Sequence, residues 1–534
     1  LASVRVALDS LVRPSYVIRN RRELNGSGDY RGRNIELFLE AYIEVTRKSS
    51  SPSIWTPRAR PSSYYQGPIP DALVPAAGNT PASTDSFGVP PRKNQGVWVD
   101  IYVPRDAPAG DYAGAVRIDQ APDPPLLLPV RLRVYDFALS DTTHLHNMFA
   151  AQQIDIAERH GVRLCSDEFY AIEREYYKAA HRHRMDLNFL QTLDSLDRRA
   201  RGYYTGTWYT PAFLYDGPGA GVGNGTYGIG LYDQPHGGAR SGFVPDAEAG
   251  WRNASDAWVS WFARFAPAAE IFRCLTDEPD TAQYPTIRER ARWIHDNPGP
   301  GRTMRTFCTV KIDPRLFGAV DVWALTGVSG YPDPDGIPLG YTTAAVEARR
   351  DAGERIAIYN GTRPGFGALE VIDADPADAR VIPWIAWRYG VDLYFLWAVN
   401  QYRDGGRRMN PWVDQFIARG EDLIWGAGTL VYPGQDKLYP ACDRGVRGPI
   451  ASIRMKNWRR GEQDFEYLWL ARSLGMAHEA DSIARAIVPA AFDLCPDGQN
   501  GPVPWALRAH AYEAARLSLA ALLENAGRER GNHP

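Results

Sequence analysis

The chain has 534 residues, with 60 basic and 63 acidic side chains and a formal net charge of −3. That length exceeds one ordinary domain, so about two or three domains are expected, and the near balance of charge gives no support for binding nucleic acid or another polyanion. No stretch approaches ~20 uninterrupted apolar residues, so the sequence predicts no membrane span.

The first part of the chain, residues 1–140, is predicted to form a β-sandwich. Apolar and polar residues alternate over 4–8 and 96–103, and strand-like runs follow at 112–118 and 126–135. Turns rich in proline and glycine, such as 104–110, separate these runs. Short alternating strands with such turns are typical of β-sandwiches.

From about residue 143 strand-like runs alternate with helical patterns, which predicts a (β/α)8 barrel over 141–475. A doubly wound sheet is the less favoured alternative, because no glycine-rich dinucleotide-binding turn follows the first strand. A stretch rich in glycine and tyrosine, 201–248, shows no clear pattern. The predicted strands lie at 146–150, 187–190, 271–275, 304–310, 320–325, 355–359, 392–399 and 429–432.

The end of the chain is predicted to be helical. An amphipathic helix over 450–474 would close the barrel after its last strand, and residues 476–534 would form helices packed outside the barrel. The Arg/Lys cluster at 454–460 is predicted to be an exposed helix face. His181 and His183, near the end of an earlier helix, are predicted to be solvated rather than to bind a ligand.

The aromatic and cysteine residues say more about function than the charge does. The chain has 16 Trp and 28 Tyr against 18 Phe, and the flat apolar face and polar edge of Trp and Tyr suit a carbohydrate cleft, although aromatic-rich loops would give the same composition. The five cysteines are scattered, without a CxxC pair or the spacing of a zinc site. We expect mainly buried free thiols, with one disulfide as the alternative.

The most informative motif is Asp277-Glu278, which follows the apolar run 271–275 and precedes a helical pattern over 281–295. In an α/β barrel that end of a strand faces the active site. Neighbouring residues on a regular strand point to opposite faces, so both acids can enter one pocket only if the strand has already ended. A helix N-cap explains Asp280 or Thr281 but not the two acids before them.

Adjacent carboxylates favour one mechanism of glycoside cleavage. Ordinary retaining glycosidases place two carboxylates ~5–5.5 Å apart across the bond, which sequence neighbours cannot easily do. Neighbours can instead divide the work on a sugar that carries a 2-acetamido group. Glu278 would act as general acid and base, and Asp277 would stabilise the intermediate that forms when the acetamide oxygen attacks the anomeric carbon.

The chain resembles glycoside hydrolase family 123, the β-N-acetylgalactosaminidases and their relatives. The resemblance lies in the segments 94–104 with 109–114, 275–279, and 448–454 with 461–468, which occur in the family's order. It implies a β-sandwich followed by a (β/α)8 barrel, no metal and no organic cofactor. It also implies terminal β-linked N-acetylgalactosamine as substrate, with Asp277 as acetamido stabiliser and Glu278 as general acid/base.

Further candidate substrate-binding residues are aromatic or polar and lie mostly at predicted strand ends. Such side chains could enclose an acetamido methyl group, donate to its oxygen or bind sugar hydroxyls. Most have a structural alternative of about equal weight, such as packing in the core or forming a turn, and for the lone strand residue His146 the structural alternative is favoured. The candidates are Trp323, Tyr331, Asn360, Arg363, Trp397, Asn400, Tyr209 and His146.

The leading hypothesis is therefore a retaining exo-acting β-N-acetylhexosaminidase that acts on an oligosaccharide or glycoconjugate glycan. One alternative is a glycosidase for a sugar without an acetamido group, with a nucleophile such as Asp277, Asp392, Asp404 or Glu370. Another is a carbohydrate-binding protein without catalytic activity. We expect a secreted or periplasmic location, with the cytoplasm as the alternative, and the sequence leaves the oligomeric state open.

Overall fold

The structure is a computed structural model of the chain. It describes residues 3–19, 34–49, 65–75, 87–231, 242–244, 247–326, 343–360, 370–418, 422–489 and 505–531. Within this part of the chain no helix is both long enough and apolar enough to cross a membrane.

The N-terminal strands form a β-sandwich, as predicted. All pairings are antiparallel: one sheet has the order β3-β2-β8-β1-β6 with β9 added to β8, and a second has the order β5-β4-β7. Buried side chains from both sheets, among them Leu11, Ile35 and Tyr112, form one core between them. The strands are β1 (Ser3–Ala7), β2 (Ser10–Arg13), β3 (Tyr16–Arg19), β4 (Ile35–Val45), β5 (Gly67–Pro75), β6 (Phe87–Gly88), β7 (Val97–Ile101), β8 (Gly110–Gln120) and β9 (Leu126–Val134).

The next eight strands form a parallel sheet that curls into a nearly closed barrel, which confirms the predicted fold class. The sheet order is β11-β10-β17-β16-β15-β14-β13-β12, and every neighbouring pair is parallel. The strands are β10 (His146–Ala150), β11 (Leu187–Asn188), β12 (Thr226–Ile229), β13 (Glu270–Thr276), β14 (Arg305–Cys308), β15 (Val322–Thr326), β16 (Arg355–Asn360) and β17 (Leu393–Leu396).

A side chain bridges the gap between the two ends of this sheet. The Asn188 amide accepts a hydrogen bond from Gly228 N at 2.8 Å and donates one to Gly228 O at 3.3 Å, so it replaces a strand pairing between β11 and β12. Glycine at residue 228 leaves room for the Met148 side chain, since a Cβ there would lie 2.5 Å from the Met148 sulfur and would force that side chain to shift. The barrel is thereby closed by an amide side chain where the backbone ladder ends.

One predicted barrel strand was wrong and one barrel strand was missed. Residues Val431–Pro433 do not join the barrel; they pair antiparallel with Pro449–Ala451. The barrel strand that was missed is β12, which lies within the stretch 201–248 that showed no pattern. It has four residues, all buried and one of them glycine, so it lacks the alternation that marks longer strands. Outside the barrel lie β18 (Arg403–Asp404), β19 (Arg407–Arg408), β20 (Phe416–Ala418), β21 (Asp422–Ile424), β22 (Val431–Pro433) and β23 (Pro449–Ala451).

Helices surround the barrel and cover its outer face. The last three helices pack against α8, whose Arg380 donates to Asp464 of α9 and Glu513 of α11, and whose Trp387 donates to Asp481 of α10. The C-terminal helices therefore pack outside the barrel as expected, while the domain boundaries at 140/141 and 475/476 stay a prediction. The helices are α1 (Gln153–His160), α2 (Asp167–Arg182), α3 (Leu193–Ser195), α4 (Arg201–Tyr204), α5 (Glu248–Phe265), α6 (Tyr284–His295), α7 (Thr343–Asp351), α8 (Ala377–Tyr389), α9 (Ile453–Ser473), α10 (Ala477–Ile487) and α11 (Ala509–Gly531).

The start of α9 is buried, so the predicted exposure of the 454–460 cluster was wrong. Arg454 pairs with Asp71 of β5 at 2.7 Å, and Lys456 pairs with Asp100 of β7 at 2.5 Å. All four side chains are at most 7% exposed. These basic residues therefore join the barrel to the sandwich, because buried charges are tolerated only when they are paired.

His181 and His183 are also buried, contrary to the prediction that they are solvated. The His181 ring stacks on Tyr209 with a centroid separation of 3.6 Å, and its Nε2 bonds Gly219 O at 2.9 Å. Burial lowers the pKa of His181 to about 4, which keeps the ring neutral. His183 Nδ1 bonds Ala179 O at 2.6 Å. Both histidines therefore serve packing at the end of α2.

Candidate active site

The pair Asp277-Glu278 lies at the carboxyl end of β13, at the mouth of the barrel. The register between β13 and β14 shifts between Cys274 and Thr276, so a bulge immediately precedes the pair. Bulges of this kind re-aim the side chains that follow them and are common beside active sites. Glu278 has a φ of +42°, in the left-handed region that costs a non-glycine residue about 1–2 kcal/mol. Such strain is typical of functional sites.

The hydroxyl of Thr309 connects the two acids. Thr309 follows β14, the neighbouring strand, and is 3% exposed. Its Oγ1 donates to Asp277 Oδ1 at 2.8 Å and accepts from Glu278 N at 2.6 Å. One side chain thus holds the carboxylate of the first acid and the backbone of the second. Thr309 was not among the predicted site residues, although its place at the end of a predicted strand was a usable signal.

A buried thiol supports the backbone just before the pair. Cys308 Sγ donates to Thr276 O at 3.3 Å, and burial, together with the nearby Cys274 and Asp277, raises the pKa of the Cys308 thiol. A neutral thiol keeps its proton and can act as a donor here. Cys274 and Cys308 are buried, as expected, whereas the free thiols of Cys165 and Cys442 are exposed and half-buried, and Cys495 lies outside the described residues.

The helix cap next to the pair is formed by Asp280, as predicted for that residue. Asp280 accepts from the backbone of Ala282 at 2.9 Å, and the Gln283 side chain accepts from Asp280 N at 3.0 Å, which completes a capping box. Asp277 and Glu278 take no part in it, and both are exposed at the mouth. Helix capping therefore does not account for the two acids.

Trp397 lies at the same end of the barrel, directly after β17. Its ring is half-buried, contacts the cluster inside the barrel and packs against Phe416 with a centroid separation of 5.5 Å. Asn360 ends β16 in register with Leu396, which puts its backbone at the mouth. The Asn360 side chain, Tyr331 and Arg363 lie outside the described residues.

Trp323 and Asn400 are buried in packing contacts and do not line the mouth of the barrel. Side chains alternate along β15, so Val322 and Ala324 point into the barrel while Trp323 points outward to the helices. The Trp323 ring is fully buried, and its indole N–H donates to Glu354 at 2.5 Å. Asn400 is also fully buried, and its amide exchanges two hydrogen bonds with the backbone of Gln152. We assign both a structural role in place of the predicted sugar contact.

Tyr209 and His146 lie away from the mouth as well. Tyr209 is fully buried, stacks on His181 and donates to Asn224 at 2.8 Å. His146 is the first residue of β10, at the opposite end of the barrel, 3.6 Å from Glu270, the first residue of β13. His146 already stood first in its predicted strand, so its place at the amino end of the barrel strands could have been read from the sequence, whereas Tyr209 follows α4 in a stretch without a pattern, which gave no signal of its burial.

The alternative nucleophiles are placed less favourably than the pair. Asp392 precedes β17 and accepts from Ile356 N at the start of β16, so it lies at the end of the barrel opposite Asp277. Glu370 is 6% exposed and accepts a hydrogen bond from Tyr394. Asp404 lies on β18 and pairs with Arg407 at 3.5 Å. In the described ranges no group of three or more His, Cys, Asp or Glu side chains is arranged to hold a metal ion.

Comparison with known proteins finds one family model that matches part of the chain. Residues 326–471 match the family described as "Glycoside hydrolase 123, catalytic domain", a segment that begins at the end of β15 and so does not include Asp277 and Glu278. No curated protein matches the chain significantly.

Among solved structures, a family 123 glycoside hydrolase from Clostridium perfringens, studied for glycolipid glycan hydrolysis, superposes with a TM-score of 0.61 at 12% identity, covering 98% of this chain and 88% of its own. A family 39 glycoside hydrolase from Bacteroides cellulosilyticus WH2 gives a TM-score of 0.33 at 10% identity, covering 81% of this chain and 76% of its own. Residues 326–471 therefore resemble the family 123 catalytic domain in sequence, and the fold is shared with a family 123 enzyme along nearly the whole chain.

Proposed function

We propose that the protein is a retaining exo-glycosidase that removes terminal β-linked N-acetylhexosamine, and specifically N-acetylgalactosamine, by substrate-assisted catalysis. The observation that carries the proposal is the adjacency of Asp277 and Glu278 beyond the bulge at the end of β13, where Thr309 connects them. Two acids held on one side of the mouth are better placed to act as acid/base and as stabiliser of the acetamido group than to flank a sugar from opposite faces.

In the first step Glu278, as a carboxylic acid, gives its proton to the glycosidic oxygen while the acetamide oxygen of the same sugar attacks the anomeric carbon. The bond to the aglycone breaks, and the aglycone leaves as an alcohol. Asp277 accepts a hydrogen bond from the acetamide N–H and stabilises the positive charge of the oxazolinium ring. A preorganised carboxylate at developing charge is a large catalytic contribution.

In the second step the Glu278 carboxylate takes a proton from water, whose oxygen adds to the anomeric carbon from the side that the aglycone left. The oxazolinium ring opens and the acetamide is restored. Two inversions at one carbon retain the β configuration. Glu278 thus serves first as acid and then as base.

The family match and the relative of known structure support the proposed substrate class. The family match supports a glycosidase, and the Clostridium perfringens enzyme was studied for glycolipid glycan hydrolysis. We therefore propose a glycoconjugate glycan as the natural substrate here. The half-buried ring of Trp397 is suited to pack against the apolar face of the terminal sugar.

A matched set of 4-nitrophenyl β-glycosides tests the proposal: the N-acetylgalactosaminide, N-acetylglucosaminide, galactoside and glucoside. We expect kcat/KM for the N-acetylgalactosaminide to exceed that for the galactoside by at least about 10²-fold. A galacto-configured thiazoline should inhibit competitively and much more tightly than free sugar, because it mimics the intermediate. Comparable cleavage of the galactoside without thiazoline inhibition would favour a protein nucleophile, and sugar binding without turnover would favour a binding protein.

A further inference from the structure

We propose that Thr309 is a positioning residue that holds Asp277 and Glu278 in one rigid frame, an inference that rests on the proposed substrate-assisted reaction. Thr309 lies beyond β14, whereas both acids follow β13, so the contact joins neighbouring strand ends across the bulge. Its side chain is buried, and the hydroxyl faces the two acids. Thr309 does not need to touch the sugar for this role.

The direction of the Thr309 hydroxyl proton is fixed by its two partners. A hydroxyl has a single proton, and the backbone N–H of Glu278 already donates to its oxygen at 2.6 Å. The proton therefore points to Asp277 Oδ1, 2.8 Å away. A donor fixed in this way sets the rotation of the Asp277 carboxylate, and hence the direction from which that carboxylate meets an acetamide N–H.

The same oxygen holds the strained residue next to it. Glu278 adopts a left-handed φ of +42°, which an L-residue keeps only when its surroundings enforce it. The hydrogen bond from its N–H to Thr309 is a direct enforcement. Loss of the hydroxyl would release both the carboxylate of Asp277 and the backbone of Glu278, although neither catalytic side chain would have been changed.

Kinetics of Thr309→Val test this role, because valine keeps the branched shape and removes the hydroxyl. With 4-nitrophenyl β-N-acetylgalactosaminide we expect kcat to fall on the order of 10²-fold, as a 1 Å misplacement of a catalytic group can do. KM should change by less than about threefold, and Thr309→Ser should recover most of the lost kcat, since it restores the donor.

The chain offers a control on β14 itself, the strand that Thr309 follows. Thr306 Oγ1 accepts from Asp321 N at 3.1 Å and can donate its one proton to Ala319 O at 2.8 Å or to Asp321 Oδ2 at 2.9 Å, so it too is a hydroxyl between a backbone N–H and nearby acceptors. It lies toward the opposite end of the barrel. Thr306→Val should lower the melting temperature and leave kcat unchanged.

A double-mutant cycle separates positioning from general destabilisation. In an Asp277→Ala background Thr309→Val should lower kcat by a clearly smaller factor than in the wild type, because the carboxylate is gone and only the contact with Glu278 N is left to lose. Thr309→Ala is measured in parallel, so that failure of the valine variant to fold leaves the test intact.

The outcomes distinguish this inference from the proposed function. Wild-type turnover of the acetamido substrate together with undiminished kcat in the Thr309→Val and Thr309→Ala variants would overturn the positioning role alone. Equal losses of kcat with and without Asp277 would do the same. A wild-type protein that fails to cleave the acetamido substrate would overturn both proposals.

Discussion

Arg454 and Asp71 form a buried, two-pronged ion pair that joins the first turn of α9 to strand β5 of the sandwich. Arg454 Nε lies 2.9 Å from Asp71 Oδ1, and Nη2 lies 2.7 Å from Oδ2. Tyr432 adds a hydrogen bond to Asp71 Oδ2 at 2.6 Å, and Arg454 Nη1 donates to Glu370 O at 2.5 Å. Four segments distant in sequence therefore meet at one guanidinium–carboxylate pair.

Removal of this guanidinium should destabilise the protein strongly. Arg454→Met leaves the Asp71 carboxylate buried without its cation, which costs about 3–5 kcal/mol in the free energy of unfolding. The exposed pair of Arg198 with Asp194, at 2.8 Å and with side chains 72% and 69% exposed, provides the control. Arg198→Met should cost less than about 1 kcal/mol. Urea denaturation measures both, and equal losses would contradict the importance of burial.

The two acids should respond differently to the leaving group. Glu278→Gln cannot protonate the departing oxygen, so kcat/KM should fall by on the order of 10³-fold or more for a poor leaving group. A 2,4-dinitrophenyl aglycone needs little protonation to leave, so the fall in kcat/KM of Glu278→Gln should be much smaller on that substrate. Asp277→Asn removes charge stabilisation, worth about 2.7–4 kcal/mol, and should slow both substrates alike. Initial rates on the two substrates measure the contrast, and the same pattern in both variants would contradict the assigned roles.

The closing edge of the barrel should carry a pH-dependent contribution to stability. Asp186 precedes β11, and its Oδ2 accepts from Gly225 N, which precedes β12, at 2.8 Å. Burial raises the pKa of Asp186 to about 7, against about 3.9 for an unfolded aspartate. The folded state therefore binds more protons between these values. The stabilising contribution is complete below pH ~4 and is lost as pH rises through about 7.

Asp186→Asn removes that dependence and keeps an oxygen to accept from Gly225. Relative to wild type, the variant should gain on the order of 2–4 kcal/mol in the free energy of unfolding between pH 4 and pH 8. Asp194→Asn, at a carboxyl 69% exposed, is the control and should show little change. Denaturation curves at several pH values measure the difference, and parallel curves for Asp186→Asn and wild type would contradict it.

Long alternating or apolar runs were enough to predict the two-part fold. Strands such as β13 and β16 and helices such as α5 carry their own periodic pattern, so the barrel rhythm could be read locally. β12 could not, because four buried residues have no alternation, and its place depends on the Asn188 bridge to Gly228. The burial of Arg454 and Lys456 was also hidden, since their partners lie more than 350 residues earlier.

In the candidate site, too, residues with a local sequence signal could be predicted, and residues whose role depends on distant contacts could not. Asp277-Glu278 could be located because a strand end and a helix start bracket the pair within a few residues. The face of the barrel wall that a single aromatic side chain occupies is a tertiary fact, and Trp323 faces outward by strand alternation. His146 differs, because it was already the first residue of its predicted strand and its place at the amino end followed from that. Thr309 gains meaning only when β14 is placed beside β13.

Trp397 should contribute to sugar binding more than to chemistry. Its half-buried ring lies after β17, contacts the interior cluster and packs on Phe416. Trp397→Ala removes an apolar surface worth about 1.5–3 kcal/mol, which corresponds to a rise in KM of about 10- to 100-fold with a smaller change in kcat.

Trp323 provides the control, because it lies on β15 and faces outward to the helices. Trp323→Phe keeps a ring in the outer layer and removes the hydrogen bond to Glu354, so it should lower the melting temperature and leave KM unchanged. Michaelis–Menten kinetics on 4-nitrophenyl β-N-acetylgalactosaminide, with thermal unfolding of each variant, separates the two effects. Because Trp397 reaches the mouth and Trp323 the helices, a raised KM in Trp323→Phe with an unchanged KM in Trp397→Ala would mean that substrate does not enter at the carboxyl ends of the strands.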